Sequence, residues 1–124
     1  MDHRFDAIII GTGQAGPSLA ARLSDAGMKV AIVESGKFGG TCVNVGCTPT
    51  KTMVASAYAI HTARRGSTYG FDAGDVLVDM KRVKARKDAV VAKAAKGVEK
   101  WMRELKNATV FVGTAASWAS ARSR

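Results

Sequence analysis

The six residues Gly11-Thr-Gly-Gln-Ala-Gly16, set between two short apolar runs, constrain this chain more than any other feature. Phe5 to Ile10 (FDAIII) is nearly continuously apolar and rich in β-branched residues, as expected of a strand buried on both faces of a parallel sheet. After the glycines, PSLAARLSDAG carries Leu19, Ala20 and Leu23 at helical spacing until Gly27 supplies a stop. Lys29 to Glu34 (KVAIVE) is a second apolar strand that ends in an acid, which completes a βαβ unit within about 30 residues. A lone G-x-G-x-x-G pattern is weak, but here it opens a helix directly after a strand. Gly11 then permits the tight turn, Gly13 lets backbone approach a pyrophosphate, and Gly16 lets the helix pack close to the strand. The phosphates meet free N–H groups and the positive end of the helix dipole. Glu34, accepting from a ribose 2′-OH, favours an unphosphorylated adenosine ribose such as that of FAD or NAD. The competing reading is a glycine turn in an α/β domain that holds no nucleotide.

The segment Gly39 to Lys51, GGTCVNVGCTPTK, holds the only two cysteines, with four residues between them. Three readings are open. Zinc wants four ligands, and Cys42, Cys47, His3 and His61 form a poor set at no recognised spacing, so no metal site is expected. A structural disulfide or two inert thiols is the second reading, disfavoured where cellular thiols keep cysteines reduced. The third is a redox pair. Pro49 suits the first turn of a helix, so Cys47 lies immediately before a helix N-terminus, where the dipole stabilises a thiolate. Asn44 and Gly46 tolerate the backbone angles of a short disulfide-closed ring.

The rest of the chain reads as support. The cysteine helix runs through Tyr58, Ile60 and Ala63 toward Gly66, and residues 66–75 (GSTYGFDAGD) are loop by composition. From Val76 to Leu105 apolar residues recur at threes and fours with a gap near Lys87, giving one long amphipathic helix. Asn107 ends it, and Thr109 to Val112 (TVFV) is a third strand, closed by Gly113. The 124 residues, 47% hydrophobic, allow one compact domain with a core. No run reaches the roughly 18 apolar residues of a membrane span and the N-terminus does not read as a signal peptide, so no membrane role and a cytoplasmic location are expected. The net charge of +9 raises nucleic acid as a partner, with residues 76–106 as its surface, but ten of the 19 Lys and Arg fall between Lys81 and Lys106 without interleaved aromatics. A solvated helical face explains them better.

GGTCVNVGCTPTK resembles the redox-active segment of the class I pyridine nucleotide-disulfide oxidoreductases, the flavoenzymes that include dihydrolipoamide dehydrogenase, glutathione reductase and mercuric reductase. The glycine pair, the C-x-x-x-x-C spacing, the Asn-Val-Gly between, and the Pro and Lys after it all agree. The resemblance runs from about Phe5 to Ala115, and VGCTPTKT with Arg86-Lys87-Asp88 looks closest to mercuric-reductase-like members. It implies an α/β fold: the N-terminal part of a Rossmann-like FAD-binding domain, a parallel sheet with a long helical excursion. It implies that Gly11, Gly13 and Gly16 hold the FAD pyrophosphate and Glu34 the adenosine ribose, while Gly39, Gly40 and Thr41 line the flavin side. By the same resemblance Cys47 is the flavin-side thiol and Cys42 the interchange thiol that meets substrate. Lys51 lies beside the flavin ring, and the backbone around Ala115 near the adenine. Electrons in the family pass from NAD(P)H to FAD to the cysteine pair, then to a small-molecule disulfide or metal-ion substrate.

Family members on this pattern also carry an NAD(P)H domain, the rest of the FAD domain and a dimerisation domain, none of which is expected in these 124 residues. The sequence therefore reads as residues 1–115 of an FAD-binding domain followed by an atypical tail, 116–124, suggestive of truncation or a shifted reading frame. The isolated chain is expected to be incompetent in turnover, with non-catalytic nucleotide binding as the alternative, and prone to aggregate through exposed sheet edges.

Overall fold

The computed structural model describes residues 3–117, so the tail from residue 118 onward lies outside the described residues. Three parallel strands, β1 (Ala7–Ile10), β2 (Val30–Glu34) and β3 (Ala108–Val112), form a sheet in the order β1-β2-β3. Ala7 pairs with Val30, and Val30 in turn with Ala108. Helix α1 (Gly16–Asp25) connects β1 to β2. The longer excursion to β3 contains α2 (Gly40–Asn44), α3 (Cys47–Arg64), a 3-10 turn at Gly66–Tyr69, and α4 (Met80–Glu104).

The helix ends follow local chemistry. Pro17 sits in the first turn of α1, where its missing N–H has no helical partner to lose. At the other end Gly27 takes φ +83°, and the N–H groups of Gly27 and Met28 donate to the carbonyls of Ser24 and Leu23. Helix α4 starts at Met80 rather than Val76 because the Asp79 carboxylate accepts from the N–H groups of Lys81 and Arg82. The gap in its apolar stripe does not interrupt the helix, which runs unbroken from Met80 to Glu104. Arg86 uses that position to donate to the carbonyl of Thr52 and the hydroxyl of Ser56, tying α4 to α3. Beyond α4, Asn107 donates through its backbone N–H to Ser24 Oγ and through its side chain to the Ser24 carbonyl, which sets β3 beside β2.

The core lies on one face of the sheet. Ile9, Val30 and Ile32 pack there against Ala20 of α1 and Met102 of α4, with Leu23, Val98, Leu105 and Val110 around them. The sequence expectation that β1 is buried on both faces is corrected: Ile8 is 62% exposed and Ile10 72%. Right-handed crossovers that step in the same direction, β1 to β2 and β2 to β3, place their helices on the same side of the sheet. The other side is therefore open at β1 and β3, while Ala31 of the central β2 is buried there. Among the described residues no helix is long and apolar enough to cross a membrane.

Candidate functional site

The two sequence motifs meet at the C-terminal ends of the strands, where open α/β sheets bind ligands. Gly11 takes φ +89°, turning the chain from β1 toward α1. A Cβ on Gly16 would run into the Gly11 carbonyl and lie 3.2 Å from Ile9 Cγ2, so only glycine lets α1 start this close to the strand. Nothing stands within 4 Å of where a Gly13 Cβ would be. That space borders the first turn of α1, whose N–H groups lack helical partners. The cysteine loop closes in from the other side: a Cβ on Gly40 would come within 2.8 Å of Gly13 Cα, and Gly40 itself holds φ +62°.

Thr12, the residue between the first two motif glycines, binds the parts together and was not visible as a functional residue in the sequence. It is 1% exposed. Its hydroxyl donates to Glu34 Oε2 at 2.5 Å and accepts from the Gly39 N–H at 3.1 Å. Glu34 Oε2 also accepts from the Thr12 N–H, and Oε1 accepts from the Gly36 N–H. The acid therefore pins the glycine turn to the end of β2 and keeps spare acceptor capacity on Oε1 for a ribose hydroxyl. Burial pushes the Glu34 carboxyl up, but the Thr12 hydroxyl and the N–H groups of Gly36, Thr12 and Ser35 outweigh it and hold the carboxyl below its ordinary 4.5. The Gly113 N–H donates to the Glu34 carbonyl, which brings half-buried Ala115 to the same end of the sheet.

Cys42 and Cys47 are joined in a disulfide with their Cα atoms 4.7 Å apart. The loop that carries them contains a helix the sequence did not announce. In α2, Asn44 donates through its side-chain amide to the carbonyls of Phe38 and Gly40, closing the turn that carries Thr41 and Cys42. Helix α3 then starts at Cys47, two residues before Pro49, with Gly46 as the residue preceding it. Glycine at 46 relieves crowding, since a Cβ there would lie 3.1 Å from the Thr41 carbonyl oxygen and 3.2 Å from Cys42 Cα. Cys47 thus sits inside the first turn, closer to the positive end of the dipole than its spacing to Pro49 implied. It is exposed, while Cys42 is half-buried. Lys51 follows one turn later, also exposed. The structure does not gather the zinc set: His3 packs near Phe5 and Phe111, and His61 lies in the last turn of α3 beside Arg65. Among the described residues no group of three or more His, Cys, Asp or Glu is placed to hold a metal.

A glycine cradle against a helix start, an acid with acceptor capacity left, and open space at Gly13 fit the ADP half of a dinucleotide such as FAD. They define a class of architecture: a βαβ unit whose glycine turn is backed by a disulfide-carrying loop. The chain belongs to the pyridine nucleotide-disulphide oxidoreductase family, whose profile matches residues 5–121. It is 39% identical over 104 residues to a dihydrolipoyl dehydrogenase of Bacillus subtilis, covering 84% of this chain and 22% of that protein. A dihydrolipoyl dehydrogenase of Thermus scotoductus is 40% identical over 94 residues, covering 76% of this chain and 20% of that protein. Among solved structures, the Cu(II) complex of the HOCl-induced flavoprotein disulfide reductase RclA from Escherichia coli superposes with a TM-score of 0.69 at 32% identity. That match covers 90% of this chain and 22% of the other. The chain thus spans about a fifth of the length of these relatives. Members of the family are FAD-dependent, NAD(P)H-using disulfide oxidoreductases.

Proposed function

We propose that these residues form the ADP-binding and redox-disulfide segment of an FAD-dependent NAD(P)H:disulfide oxidoreductase. The observation that carries the reading is the direct seating of the cysteine loop on the glycine turn, Gly40 against Gly13 and Gly39 on Thr12. That seating fixes the disulfide relative to any nucleotide held there. In this reading FAD, when bound, passes electrons from NAD(P)H to the disulfide.

The chain's own residues divide the remaining work. Gly11, Gly13 and Gly16 bind pyrophosphate, Glu34 orients the ribose, and the backbone near Ala115 borders the adenine. Gly39, Gly40, Thr41 and Lys51 lie toward the flavin. Cys47, in the first helical turn, is the sulfur better stabilised as a thiolate and is assigned to the flavin side. Cys42 is then the sulfur that exchanges with substrate. The hydride-donor site, the acid-base residue and the homodimer interface are assigned to the part of the relatives that this chain does not cover. A small-molecule disulfide is the primary substrate class. A thiophilic metal ion, mercuric ion included, is the second, and the Cu(II) complex of the RclA neighbour favours it.

The test is the visible absorption of the purified chain with and without added FAD. Retained flavin absorbance, weakened by Gly13→Val, is expected. A chain whose disulfide is intact but which leaves FAD free in equilibrium dialysis would sink the nucleotide half of the reading.

A further inference from the structure

His3 and Phe5, ahead of β1, reach Phe111 of β3 across the open face of the sheet. The rings of Phe5 and Phe111 meet edge to face, 5.8 Å between centroids at 85°, and His3 stands 6.3 Å from Phe5 and 6.5 Å from Phe111. With Thr109 these rings line a pocket of about 550 Å³ whose other lining residues are Arg4 and Lys29. None of the six belongs to the glycine turn, the cysteine loop or α4. The rings are open to solvent: His3 is exposed, Phe5 half-buried and Phe111 37% exposed. Arg4 and Lys29 are exposed as well, and neither is in an ion pair among the described residues. Asp6, beside them, accepts from the Lys29 backbone N–H rather than from its ammonium. Rings that stack beside cations that meet phosphate are the two components of a single-strand binding surface.

We propose that this pocket takes one base of a single-stranded nucleic acid, stacked on the ring cluster, with the flanking phosphates on Arg4 and Lys29. Every base has a π-face, so the site reads no sequence. The Arg4 guanidinium can also lie over the base. An acidic peptide would satisfy the two cations and leave the rings in water. A duplex hides its base faces and meets the site with phosphates alone. The net charge of +9 attracts any polyanion at long range, but it cannot tell a strand with bases from one without. That discrimination belongs to the rings.

The experiment titrates the full chain into a fluorescein-labelled oligothymidylate of about twelve nucleotides, and into an abasic strand of the same length and charge, read by fluorescence anisotropy. The strand with bases should bind about fivefold or more tightly than the abasic one. Phe111→Leu keeps an apolar side chain and removes the ring. It should abolish most of that preference while leaving affinity for the abasic strand within about twofold. Arg4→Ala should weaken both strands and lower the slope of log affinity against log salt by about 0.7. Lys93→Ala removes the same charge from α4, outside the pocket, and should leave both preference and slope nearly unchanged. Equal affinity of the parent chain for the two strands overturns the site without recourse to any variant, and so does undetectable binding of both. A preference that survives Phe111→Leu intact overturns it too, as does a slope change in Lys93→Ala equal to that in Arg4→Ala.

Discussion

Thr12 and Glu34 show how much of this site rests on a few polar atoms. A carboxylate that is 8% exposed is tolerated because it accepts from the Thr12 hydroxyl and from the N–H groups of Thr12 and Gly36. Removing the charge with Glu34→Gln should cost about 1–3 kcal/mol, since donors now paired with an anion would meet a neutral amide. The pH dependence has a definite sign. The folded carboxyl is held below its ordinary 4.5, so its stabilisation is whole above that value and is lost as pH falls through the lower folded one. Urea midpoints of the chain and of Glu34→Gln should therefore differ at neutral pH and converge only as pH falls through the lowered folded value. Thr12→Val should reproduce much of the loss by stranding the Gly39 N–H, and Thr12→Ser should restore it. A Thr12→Val chain as stable as the parent would show that the hydroxyl is not a structural link. Nothing in the spacing G-x-G distinguishes a buried bridging hydroxyl from an exposed one, which is why Thr12 was illegible in the sequence while the three glycines around it were not.

Among the elements, the short α2 and the start of α3 decide the redox chemistry. The disulfide joins a residue in a five-residue helix to the first residue of an 18-residue helix, and only the second stands at a substantial dipole. In Cys42→Ser the remaining Cys47 should titrate below the usual range of a free cysteine, and below Cys42 in Cys47→Ser, as followed by ultraviolet thiolate absorbance. The reverse order would mean that the sulfur roles are exchanged. Helix boundaries were the least legible part of the sequence. Proline marked the first turn of α3 but not its first residue, because the true start depends on Gly46 lying against Thr41 and Cys42, a contact between segments. The start of α4 was different: Asp79 ahead of the periodic run is a local capping signal, and a stripe read for apolar residues alone extends past it to Val76.

At the scale of the molecule, apolar runs predicted β1 and β2 buried; central β2 is buried on both faces, Ala31 being 3% exposed, while edge strand β1 is covered on one. Ile8, Ile10 and Phe111 are apolar like their core-facing neighbours Ile9 and Val110, so a run of residues cannot say which face has a partner. That depends on crossover direction, and both crossovers here step the same way. The open face joins two sheet edges, since β1 and β3 each have one paired neighbour. Apolar surface beside unpaired strand edges favours self-association. The chain should therefore form concentration-dependent oligomers in sedimentation velocity. Replacing both Ile8 and Ile10 by Lys should suppress them, because the charges point away from the core and repel across any stacked sheets. As both positions are more than half exposed, the double substitution should change the unfolding free energy by no more than about 0.5 kcal/mol per site. A monomeric parent chain would mean that the face is not a sticking surface. Loss of folding in the double variant would mean instead that Ile8 and Ile10 belong to the core, and with it the one-sided packing described for β1 would be wrong.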